Sequence, residues 1–215
     1  MHFIPVQYYS LVFYYMTFLI CLVYSMKYIN SNSCDLLLKQ NSLVTPTIFA
    51  IIITLFVGLR PISWWFQDML NYSYVYNRFS GNLADIDWSG EWGLPVIAYV
   101  CKAFHWPATI YFLLIGVGYT MCQAQSVKKL LPENALMAFL FILSSFSFWG
   151  FASNGIRNGL GCAVAMLAIT YMSQKEYLPA IIWALFAVAV HRSTMLPIMM
   201  LLVSFYIIKS SKHAI

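Results

Sequence analysis

Between residues 154 and 193 the chain reads NGIRNGLGCAVAMLAITYMSQKEYLPAIIWALFAVAVHRS, two apolar segments joined by a short polar turn at 173–177. Apart from Lys175 in the turn, the cations of this stretch stand at its two far ends, Arg157 on one side and the His191–Arg192 pair on the other. If both segments are helices, Arg157 lies about 16 residues before the turn and His191 about 14 after it, so at 1.5 Å rise per residue both reach nearly the same height, about 20–25 Å from the turn. A hairpin that gathers Arg, Asn, His and Arg at one end of two apolar helices is costly in a lipid environment and calls for a functional reason.

That environment follows from composition. The 215 residues are 61% hydrophobic and 9% charged, against roughly 45–50% and 25% in soluble domains. A soluble domain of this length has no interior large enough for so much apolar surface. The expected fold is therefore all-α, a polytopic transmembrane bundle forming one integral membrane domain over 1–215. Apolar runs at 8–26, 42–59, 108–127, 135–153, 156–172, 178–190 and 194–208 give about seven spans. The run at 92–104 holds Lys102 and is too short to cross, so it is expected to be an interfacial or re-entrant helix. Residues 60–91 form the longest polar segment, carrying Arg60, Asp68, Arg78, Asp85, Asp87 and Glu91. The first run lacks a basic leader and a small-residue cleavage site, so it reads as a retained span. The five cysteines show no ligand or disulfide spacing, so no metal site is expected.

In such a chain the formal charge of +5 reports topology and gives no indication of nucleic acid. Placing loops alternately puts Lys27, Lys39, Lys128, Lys129, Lys175, Lys209 and Lys212 on one face, and Arg60, Arg78, Lys102, Arg157 and Arg192 on the other. The lysine-rich face is cytoplasmic by the positive-inside rule. This puts the N-terminus and the 60–91 loop outside and the C-terminus of the chain inside. All four arginines then share the outer face, a split that topology does not require. Arginine presents a planar, permanently charged fork that grips phosphate at two points, so an anionic ligand such as a lipid pyrophosphate is expected there.

Within this set Arg157 and Asn158 open the fifth span, and Gly155, Gly159, Gly161, Ala165 and Ala168 give it a slim surface for close helix approach. His191 ends the sixth span beside Arg192, where a neutral imidazole can donate to phosphate or take a proton from a hydroxyl. Trp64, Trp65, Tyr72 and Tyr76 cluster around Asp68; such aromatics serve either a membrane-interface belt or a saccharide path. Asp68 and Glu91 are the carboxylates nearest apolar segments and hence the candidate bases, whereas Asp85 and Asp87 read as solvated.

These segments resemble a family. GLRPISWWFQD (58–68) with Tyr72 and Tyr76, EWGLPVIAYVCKAFHWP (91–107), NGIRNGLGCAVAMLAITYM (154–172) and AVAVHRSTMLPI (187–198) follow the order of motifs in the EpsG/Wzy-type polysaccharide polymerases, over roughly residues 55–201. Asn158 stands where that family usually has Gln, Arg192 follows the His, and Thr194 replaces a small residue. The family's members are usually longer, so a chain truncated at the C-terminus is expected. The resemblance implies an enzyme of the bacterial cytoplasmic membrane that transfers a growing glycan between undecaprenyl-pyrophosphate-linked units at the outer face. It would need no cofactor, and would share its pathway with a flippase and a chain-length regulator. Arg60, Arg157 and Arg192 would meet the departing pyrophosphate, His191 would shuttle a proton, and Asp68 or Glu91 would be the base. A transporter of the same lipid-linked glycan, or a non-catalytic membrane component of the assembly system, are the competing readings.

Overall fold

A computed structural model describes residues 4–30 and 44–212, and among these every regular element is helical. The order is α1 (Tyr9–Asn30), α2 (Val44–Gly58), α3 (Gln67–Arg78), α4 (Gly93–Ala103), α5 (Ala108–Leu130), α6 (Ala135–Ser144), α7 (Phe146–Ser153), α8 (Ile156–Ser173), α9 (Tyr177–Val190) and α10 (Met195–Lys212), with short 3-10 turns at Val6–Tyr8, Leu83–Asp85, Pro132–Asn134 and Arg192–Thr194. α5 is the hub: α2 and α8 pack along it, and α9 folds back on α8. α5 buries 61% of its most apolar stretch inside the protein while the first helix buries 17% of its own, so α1 turns most of its surface outward.

The membrane-protein expectation holds, but the count of about seven spans is not reached. Two helices among the described residues, Val6–Met26 and Ala108–Leu130, are long and apolar enough to cross, and a third span arises only if the pair Pro132–Ser144 and Phe146–Ser153 counts as one. That pair bends by 67°. Ser145 causes the break: its backbone is extended, and its hydroxyl caps the next helix by accepting from the Phe148 N–H. α2 and α9 have 15 and 14 residues, about 21–23 Å of helix, well short of the roughly 30 Å hydrocarbon core. The expected loop between the first two spans lies largely outside the described residues. The segment expected to be a short helix after Glu91 is one, with 11 residues.

Aromatic rings hold the N-terminal half together. Phe13 of α1 stacks on Phe148 at 5.6 Å and meets Trp149 at 5.1 Å, while Phe66 stands edge-on to Trp149. This places α7 between α1 and α8. α3 and the loop that follows it lie at the same end of the molecule as the start of α8, because Asp68 of α3 reaches the Ile156 backbone N–H at 3.3 Å.

Candidate functional site

α8 begins at Ile156 after Gly155, which has no side chain to cap it. The free N–H groups of a first turn need acceptors, and Asp68 supplies one from 88 residues away in sequence. A carboxylate there also suits the positive end of the helix dipole. Asp68 is thus engaged with the start of the helix that carries Arg157.

One residue further on, the Arg157 guanidinium meets the Glu91 carboxylate, with Nη1 2.5 Å from Oε2. The other oxygen of Glu91 is held twice: His191 Nδ1 lies 2.9 Å from Oε1, and the Arg192 backbone N–H donates to the same atom at 2.8 Å. α9 stops at Val190, and His191 leaves it in an extended conformation (φ −153°, ψ 114°), which frees the Arg192 N–H and turns it to Glu91. Thr194 closes this turn by donating its hydroxyl to the His191 carbonyl.

Two glycines let the three elements come this close. A Cβ on Gly93 would lie 2.8 Å from the Val190 nitrogen and 2.9 Å from its Cα, so the start of α4 touches the last residue of α9 directly. Glu91 precedes Gly93 by two positions and His191 follows Val190 by one, so this crossing sets the carboxylate against the ring. On the other side a Cβ on Gly161 would lie 2.8 Å from His191 Cβ. The slim face of α8 is therefore where His191 seats.

Partial burial pushes the Glu91 carboxyl up, but the Arg192 N–H, the His191 ring and the Arg157 guanidinium outweigh that and hold it below its ordinary value. Its side chain is 18% exposed, while that of Arg157 is 45% exposed. Beside them opens a cleft of about 250 Å³, lined by Glu91, Arg157, Tyr72, Tyr76, Tyr111 and Asp85 among others. Tyr72 sits within the field of Arg157, Asp68 and Glu91, and its half-burial pushes its hydroxyl up. Tyr76 stacks on Tyr111 at 5.1 Å and donates to the Trp106 carbonyl.

The remaining candidates separate from this group. Arg60 is 3% exposed and packed in the core, where it donates to the Val57 carbonyl and lies 5.2 Å over the Phe66 ring. Its Nε has no hydrogen-bond partner among the described residues, and burial pushes the guanidinium down to about 10. Asn158 accepts from Cys162 Sγ one turn along its own helix at 3.5 Å. Trp64 and Trp65 pack on each other at 4.8 Å and are 69% and 45% exposed, outside the cleft wall that Tyr72 and Tyr76 form. Arg192 contributes its backbone to Glu91 while its side chain is exposed. Asp85 and Asp87 are exposed, and Ser89 holds the Asp87 carboxyl low through its hydroxyl and N–H. Sequence reasoning passed over Tyr111, which looks like any aromatic of an apolar span, and Gly93, whose place two residues after a loop glutamate was the available signal.

A model of the EpsG family matches residues 43–215, a stretch that includes Asp68, Glu91, Arg157 and His191. No curated protein and no solved structure is significantly similar to the chain.

Proposed function

The chain belongs to the EpsG family, and from that premise we propose that it is a membrane polymerase joining undecaprenyl-pyrophosphate-linked oligosaccharide units into a surface polysaccharide, by glycosyl transfer at the outer face of the cytoplasmic membrane. The observation that carries this reading is the half-buried Glu91–Arg157–His191 cluster at the rim of an aromatic-lined cleft.

Arg157 uses one of its N–H groups on Glu91, and a guanidinium has five to give. The others, together with the exposed Arg192 side chain, suit a diphosphate that gains charge as the sugar–phosphate bond breaks. The tyrosine-lined cleft offers flat faces and hydroxyls, chemistry that suits a sugar ring. The oligosaccharide would be released from one lipid diphosphate and joined to a hydroxyl of the next unit.

The test is made in cells that produce the polymer. Arg157→Ala is expected to reduce polymer by about 10²–10³-fold, the usual cost of removing one transition-state donor, with Arg157→Lys intermediate. Single lipid-linked units should accumulate on the outer leaflet. Accumulation on the inner leaflet would identify a transporter instead, and unchanged polymer would remove Arg157 from the site.

A further inference from the structure

We propose that His191 is the general base of the transfer, acting through Nε2, and that Glu91 is a positioning residue that sets the ring for it. This rests on the polymerase reading. The assignment follows from proton counting. An ionised carboxylate can only accept hydrogen bonds. Glu91 is kept ionised by three donors: Arg157 on Oε2, and His191 together with the Arg192 N–H on Oε1. The 2.9 Å contact between Glu91 Oε1 and His191 Nδ1 therefore requires the proton on Nδ1. In a neutral imidazole this leaves the lone pair on Nε2, and no hydrogen bond reaches Nε2 from the described residues.

The other carboxylates suit the task less well. Both Glu91 oxygens already accept from donors, and those donors lower its basicity. Asp68 is engaged with the start of α8. The ring, by contrast, is held in place. Gly161 lies against His191 Cβ, and the Gly93–Val190 crossing fixes the backbone just before it.

The step balances as follows. The acceptor hydroxyl oxygen forms a bond to the anomeric carbon and its proton passes to His191 Nε2. The bond from that carbon to the diphosphate oxygen breaks, and its electron pair leaves with the diphosphate, facing Arg157. The imidazolium so formed lies against the Glu91 carboxylate until it returns its proton to water.

The test uses the full chain in proteoliposomes, with lipid-diphosphate oligosaccharide extracted from cells that lack the polymerase as the probe. If the wild-type protein forms no polymer, the polymerase reading itself fails. If it does, His191→Ala should lose about 10²–10⁴-fold in rate, the usual worth of general-base catalysis, and regain part of it with added imidazole. His191→Asn keeps a donor toward Glu91 but has no base, so it should lose as much while unfolding at the wild-type temperature. Glu91→Gln should lose less than His191→Ala, and the double variant should be no slower than His191→Ala. Retention of more than a tenth of the rate in His191→Ala, failure of imidazole to restore any, or a larger loss in Glu91→Gln would overturn the assignment.

Discussion

Each end of the α8–α9 hairpin is ion-paired to another part of the chain, the hairpin supplying the glutamate at the turn and the cations at the open end, and the two ends use the pair differently. At the turn, Glu176 meets Lys129 of α5 at 2.6 Å. The same ammonium bonds Gln174 Oε1 and lies 4.4 Å over the Tyr171 ring, while Gln174 donates back to the Lys129 carbonyl. Lys129 there gives two hydrogen bonds and one ring contact, in a place where the glutamate is 45% exposed. At the open end, Glu91 is 18% exposed and collects three donors, while Arg157, which lines the cleft, keeps bonding capacity unspent. The same charge pairing thus tacks a turn to its neighbour at one end and gathers three elements around one carboxylate at the other. Burial and the number of donors on each carboxylate make the difference.

The sharpest way to break this contrast alters no charge. Gly93→Ala forces a methyl against the Val190 backbone, a strain of about 1–3 kcal/mol that must be relieved by parting α4 from α9. Glu91 then leaves His191, and polymer output is expected to fall by about tenfold or more, since every 1.4 kcal/mol is tenfold; a polymer assay on Gly93→Ala and Gly93→Ser checks it.

Acid should dissolve the open end. The Glu91 carboxyl is lowered from its ordinary 4.5 in the folded protein, so the stability it contributes is present above that value and is lost as pH falls through the lower folded one. Thermal unfolding in detergent should show Glu91→Gln less stable than wild type at neutral pH, with the gap narrowing below pH 4.5.

At the turn end the effects should be small and should leave the polymer unchanged. Lys175 sits at φ 64° in a Schellman-type turn, with the Glu176 N–H reaching the Tyr171 carbonyl and the Lys175 N–H reaching that of Met172. Lys175→Gly removes the side-chain strain of that conformation and is expected to raise stability by about 1 kcal/mol. Glu176→Ala should lower it by about 1 kcal/mol or less, as exposed ion pairs do. A polymer defect in either variant would erase the distinction between the two ends.

Much of this arrangement is readable from local pattern. Composition demands a lipid-embedded helical protein, because apolar content of this order has nowhere else to go. Helix geometry brings Arg157 and His191 to one height, since rise per residue is a property of the backbone. The order of short motifs points to the EpsG family, and the matching family model confirms it. The hairpin and the meeting of its far ends needed no long-range information.

What local pattern does not hold is which partner each polar group finds. Arg60 reads like the other arginines and yet lies in the core, because the chain after α2 turns inward onto Phe66. Asp68 reads as a candidate base and is engaged with a helix start 88 positions away. Of the seven apolar runs, two to three have the length of a crossing helix among the described residues; hydropathy cannot see the bend at Ser145, nor that α2 and α9 have 15 and 14 residues. Glu91 joins Arg157 and His191 across 66 and 100 positions, through a backbone approach at Gly93 that exists only once α4 packs on α9. Periodicity and composition act along the chain. The choice of partner for a buried charge acts across it, through close packing and desolvation, and only the folded protein carries that information.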